Sequence, residues 1–164
     1  MNKPQQIRDV LYQCLPELNK NRERLTLVIN KGNAVATGAA SMSFEWQYEL
    51  QIGVIDFAGH PDAVMVPLLL WLRQYQPELF TNPDRRDNAV TIEVEYLARD
   101  LVDMLITVPL TERVRVTKDE TGMRWEHLQE PPEDPYDGMT WELFINDQPQ
   151  PWPPAPGDTW PKIS

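Results

Sequence analysis

Two histidines, one cysteine and a few acidic side chains beside turns are the residues of this 164-residue chain with the means to do chemistry. Asp56 and His60 flank a turn, at a spacing where a carboxylate and an imidazole can act as an acid–base pair. The same turn leads into an apolar helix with Asp62 as its candidate N-cap, so a helix-entry role explains the group more cheaply. His60 and His127 stand far apart, outside any HExxH string or cysteine set, which argues against a zinc site. Asp100 and Asp103 straddle a strand start on alternate faces and make a poor metal pair. His127, in Arg124-Trp125-Glu126-His127, reads as an exposed strand residue. Cys14 lies on the apolar stripe of the first helix, where a buried small hydrophobe is favoured over a nucleophile. Lys31-Gly32 and Gly38 match no phosphate-loop spacing. The residues therefore lead to an expectation of no catalytic residue, no cofactor and no metal.

The elements that must position these residues are dominated by one strand. From Met42 to Val54 every even position is apolar and the odd positions 43 to 51 are polar. Strict period-two alternation sends the two sets to opposite faces of a β-strand. Ordinary strands run about five or six residues, so part of this one projects beyond a small core. Around it the pattern predicts a first helix from Pro4 to Cys14 and a short strand over 25–29. A turn at 30–33 and a bend at Gly38 follow. A core helix runs over 63–75, with Pro67 kinking its first turn or marking its true start. Leu69 and Trp71 are expected to pack on the even face of the long strand. Three strands over 90–95, 101–108 and 113–117, joined by short links, complete an antiparallel meander. The expected fold is α/β (α+β): an antiparallel or mixed sheet of four to five strands, two helices on one face, and a Pro-rich C-terminal arm. Residues 1–128 form the domain and 129–164 the acidic extension.

Net charge is −10, with ten acids against three bases from residue 117 onward. No basic stripe offsets this acidity, which argues against nucleic-acid binding. No apolar run is long enough to span a bilayer, and the N-terminus has no signal-peptide core, so assembly in the cytoplasm is expected. Nine of the sixteen prolines lie from Pro131 to Pro161. Thr140 to Ile145, with Trp141, reads as one short strand there, and the end from Gln148 favours polyproline II. Trp141, Trp152 and Trp160 are interface candidates, because a solvated tail has little reason to carry large aromatics. The outward pairs Glu93/Glu95 and Arg113/Arg115 are the polar interface candidates; whether they meet within or between chains stays open.

Several strings resemble one family. They are Ile7-Arg8 with its helix to Leu15, Gly53-Val54-Ile55-Asp56-Phe57, the run from Pro67 to Arg73, and above all the run from Leu105 to Val116. Together they look like the tail completion protein R family of temperate contractile-tailed phages, over the chain up to about residue 150. The resemblance implies a virion structural protein that caps the head-proximal end of the tail tube in the last step of tail assembly. It implies a ring, six-fold in similar terminators, with the tube protein and a head-completion or connector protein as partners. No catalytic residue carries over. The other readings are an interaction module of a bacterial contractile injection device and a small hydrolase using Asp56 and His60.

Overall fold

A computed structural model describes residues 1–36, 38, 41–97 and 100–129, together with the backbone of 143–145 and 148–150. The first helix, α1 (Lys3–Cys14), opens with Pro4 in its first turn and continues through the short α2 (Pro16–Lys20) and a 3₁₀ turn at Arg22–Arg24. Strands β1 (Leu25–Ala36) and β2 (Phe44–Phe57) form a long antiparallel hairpin. Helix α3 (Asp62–Tyr75) follows, then the short α4 (Glu78–Thr81) and α5 (Pro83–Arg86). Strands β3 (Thr91–Tyr96), β4 (Val102–Asp119) and β5 (Gly122–His127) end the main sheet. Its order is β1-β2-β4-β3, with β5 also on β4, and every pairing is antiparallel. The fold is thus mixed α+β with five antiparallel strands in one sheet, as the pattern predicts.

The core forms where the even face of β2 and β4 meets the helices. Leu50, Ile52 and Val54 of β2 and Met104, Ile106, Val108 and Leu110 of β4 face Ile7, Leu11 and Cys14 of α1 and Val64, Leu68, Trp71 and Leu72 of α3. Trp71 is buried as expected, but Leu68 and Leu72 fill the core where Leu69 is only half-buried. Pro67 neither starts nor ends α3; it lies buried inside the helix. The helix entry is also built differently. His60 Nδ1 accepts from the Asp62 backbone N–H at 3.2 Å, so the imidazole, not the Asp62 carboxylate, serves the first turn.

Two departures concern strand length. The polar string Asn30-Lys31-Gly32-Asn33 is strand, not turn: β1 runs on to Ala36, with a register shift between Ile29 and Lys31. That bulge moves the inward set from odd to even residues, which is why the alternation looked broken. The expected strands 101–108 and 113–117 are one strand of 18 residues. Pro109 is tolerated within it for a definite reason. Between β3 and β5, residues 108–113 of β4 have a partner strand on one side only. The Thr111 N–H points into this gap and donates to Gln76 Oε1 at 3.2 Å. Residue 109 has the same parity, so its missing N–H falls in the gap and costs no ladder bond. The return strand of the expected meander is β5, reached through a turn where Asp119 Oδ1 accepts from Thr121 N (2.8 Å) and Gly122 N (3.1 Å).

Beyond residue 129 the backbone shows Leu143–Ile145 (β6) paired with Gln148–Gln150 (β7). The first residues of the expected polyproline end therefore pair as strand. Trp141, Trp152 and Trp160, and the start of the expected strand at Thr140, lie outside the described residues.

Cys14 is fully buried in the core, and burial pushes its thiol up to about 12. A thiolate is the reactive species, so Cys14 should resist iodoacetamide at pH 8 in the folded protein and react only on unfolding. Stoichiometric labelling of the native protein, measured by intact mass, contradicts this packing.

Candidate functional site

The sheet is longer than the layer that covers it. Helices α1 and α3 cover β2 and β4 up to about Tyr48 and Leu110. Past them, the inward positions continue as Phe44 and Trp46 on β2, Val114 and Val116 on β4, and Met123, Trp125 and His127 on β5. Phe44 and Trp46 meet edge to face, 5.2 Å between ring centroids. Trp125 stands 71% exposed and Met123 62%. Val114 is buried and Phe44 and Trp46 are half-buried, so the open part of this end is the β5 side around Trp125 and Met123, a candidate interaction surface.

A buried polar group anchors that end to the helices. Glu112 occupies an inward position of β4 and is 3% exposed. Its carboxylate accepts from the backbone N–H groups of Asn2 (2.7 Å) and Lys3 (3.2 Å) and from the Tyr48 hydroxyl (2.5 Å). His127 Nδ1 lies 3.0 Å from Glu112 Oε2, without the alignment of a hydrogen bond. Asn2 makes no side-chain cap on α1, so Glu112 supplies the negative charge that the N-terminus of the helix favours. Burial, then the bond to Glu112 and its charge, push the Tyr48 hydroxyl well above its ordinary value and keep it a neutral donor.

Beside it lies the mirror arrangement. Lys3 Nζ donates to the Tyr75 carbonyl and to Gln76 Oε1, both at 2.6 Å, and so places a cation at the C-terminus of α3. Gln76 in turn donates to Thr111 Oγ1 at 2.8 Å and to Glu78 Oε1. One buried network thus joins α1, α3 and the part of β4 that has no partner strand on that side.

The residues weighed for chemistry are dispersed. His60 is engaged with the Asp62 backbone at the entry to α3. Asp56 takes a positive φ of 50°; its N–H donates to Asp103 Oδ1 at 2.8 Å and its carbonyl accepts from Arg24 at 2.8 Å. Neither residue is brought into a hydrogen bond with the other, which removes the geometric ground for an acid–base pair. Asp103 therefore has a backbone partner across the sheet. His127 is not the exposed residue the string suggested; its side chain is 15% exposed against Glu112. Among the described residues no group of three or more His, Cys, Asp or Glu side chains could hold a metal ion, and no helix is long and apolar enough to cross a membrane.

The polar candidates share the outer face. Glu93 is opposite Leu105 and Glu95 opposite Asp103, on the same side of the sheet as Arg113 and Arg115. Glu93 and Arg113 lie eight β4 positions apart, about 27 Å at ~3.4 Å per residue, so the two pairs do not meet within a chain. Arg115 instead bridges Glu126 of β5 at 3.1 Å.

A sheet longer than its helical cover, with Trp125 and Met123 exposed at its end, offers a surface to another molecule. The comparisons agree. The family model described as P2 phage tail completion protein R (GpR) matches residues 1–134. The tail completion protein R of Escherichia phage P2 is 32% identical over 146 residues, which is 89% of this chain and 94% of that protein. The chain belongs to the phage tail completion protein R family. Its role is structural, in completion of the phage tail, and its place is the virion tail; the family is not known as an enzyme. No solved structure matches the chain.

Proposed function

We propose that the subunit caps the head-proximal end of the tail tube at the last step of tail assembly, acts as a closed ring, and prepares the tube for the head. A cap on a rotationally symmetric tube must share its symmetry, so a ring of identical heterologous contacts is the natural assembly, six-fold as in similar terminators. The observation that carries the reading is the sheet end where Trp125 and Met123 stand open beside the half-buried Phe44 and Trp46. The tube protein below and a head-completion or connector protein above are the partners. Arg113 and Arg115 supply polar contacts to an acidic neighbour, and Glu93 and Glu95 contacts between subunits. Trp141, Trp152 and Trp160 anchor the acidic C-terminal extension on a neighbour.

Gold-labelled antibody against the chain should mark one end of isolated tails, the end that joins heads. Tails made without it should accumulate unjoined. Label along the whole tube, or at the opposite end, overturns the capping role. Reversing both Arg113 and Arg115 to Glu should weaken assembly and leave the melting temperature of the monomer nearly unchanged, because exposed ion pairs contribute only about 0–1 kcal/mol. Normal tail completion by that double variant shows the arginines to be solvated decoration.

A further inference from the structure

The two outermost strands of the main path are β1 and β3. They lie level with each other across the sheet: Leu25, Val54, Met104 and Val94 form one rung, and Thr26, Gly53, Leu105 and Glu93 the next. We infer that β3 of one copy pairs antiparallel with the first half of β1 of the next copy, so that subunits in the ring share a continuous sheet. The inference rests on the ring reading above and names the contact that closes it.

Strand direction is the first argument. Each successive pair in the order β1-β2-β4-β3 is antiparallel, so β1 and β4 run one way and β2 and β3 the other. A second copy in the same orientation, with its β1 beside β3, continues the alternation and keeps the helix-covered face on the same side. A rotational ring requires that repeat, since every subunit presents one edge and receives the other.

Burial is the second. The inward residues of β3, Ile92, Val94 and Tyr96, stay 41%, 38% and 75% exposed, although they sit on the core-facing side. On β1, Leu27 is half-buried and Ile29 and Val28 are exposed. Among the described residues no strand pairs with the outer side of β3 or of the first half of β1, and neither stretch holds Pro or Lys to blunt it, so each can template pairing with another chain. Strand addition would cover both apolar rows.

Charge selects the partner. Between Thr91 and Tyr96 the charged residues are Glu93 and Glu95. Pairing β3 with β3 of another copy across a two-fold axis sets these acids against each other, which is unfavourable. The first half of β1 is bracketed by Lys20, Arg22, Arg24 and Lys31 against the single acid Glu23. Lys31 is held only by a 3.9 Å contact to Glu49, and Arg24 already bridges Glu17 at 3.0 Å. The basic edge therefore suits the acidic edge of the next copy.

Cysteine cross-linking of the full chain on purified tails, and in concentrated solution, tests the contact. Buried Cys14 stays silent, so the double variants Thr26→Cys/Glu93→Cys and Val28→Cys/Glu93→Cys report on the edges. Within one chain Thr26 and Glu93 lie three strand spacings apart, about 14 Å, and Val28 and Glu93 lie farther, both too far for a disulfide. Mild oxidation should give a ladder of oligomers from a double variant and nothing from single variants. A dimer from Glu93→Cys alone signals β3–β3 pairing and overturns the inference. A ring intact by solution mass or on tails, with no link from either double variant, also overturns it and leaves the ring reading standing. A chain that is monomeric in solution and on tails refutes both. Independently, Glu93→Lys/Glu95→Lys should lose the oligomer at an unchanged melting temperature; an undiminished oligomer counts against the charge argument and the pairing.

Discussion

Glu112→Ala should be among the most destabilising substitutions in this protein, by about 3–5 kcal/mol, because it strips the shared acceptor from a buried site. The Tyr48 hydroxyl and the Asn2 and Lys3 N–H groups would all lose their partner at once. Unmade bonds of this kind cost more than made ones gain, about 1–3 kcal/mol for each group left dry. Against a total stability of about 5–15 kcal/mol, the loss lowers the melting temperature by about 10 °C or more. The lesion should also be local: amide exchange in α1 should quicken before that in β2 and β4, since Glu112 caps α1. Glu112→Gln keeps one acceptor but turns an amide N–H₂ toward N–H donors, so it should fall between wild type and Ala. Tyr48→Phe removes only one donor and should cost about 1.5–3 kcal/mol, the worth of a bond to a charged group. A Glu112→Ala variant melting within about 2 °C of wild type contradicts the capping role.

Glu112 also shows where the sequence was legible and where it was not. The alternation of β2 was clear because nothing interrupts it: Tyr48, Leu50, Ile52 and Val54 are apolar, inward and buried. The same even register runs through β4 from Val102 to Val116, with Glu112 the one charged inward residue. Pro109 hid that register, because a proline in a strand ordinarily marks its end. Only the gap between β3 and β5 makes the proline harmless, and a gap is a property of tertiary arrangement. Read without that break, a lone acid in an apolar row would have flagged a buried partner such as the start of α1. In β1 the bulge after Ile29 hid the strand by the same logic, exchanging the inward set partway along. The structural role was legible in the string from Leu105 to Val116, most of which is the inward row and outer arginines of β4. The uncovered end around Trp125 was not, since exposure depends on how far the helices reach.

Trp125→Ala should leave the monomer folded and cripple tail completion. The side chain is 71% exposed, so its removal should change stability by no more than about 0.5 kcal/mol. Trp71 makes the contrast: at 1% exposure, its truncation should cost about 3–5 kcal/mol and empty the core. An exposed tryptophan on an apolar face is the kind of anchor that dominates an interface, worth about 2 kcal/mol or more, roughly 30-fold in affinity. His127, edge to face with Trp125 at 5.8 Å, Val116 opposite it on β4 and Met123 two residues along β5 form the surround that excludes water from such an anchor. Met123→Ala should therefore weaken binding less than Trp125→Ala. Co-sedimentation with tails made without the chain measures the affinity, and a thermal melt of each variant keeps folding separate from binding. Wild-type binding by Trp125→Ala removes the sheet end as the tail-binding surface and places the contact elsewhere on the subunit.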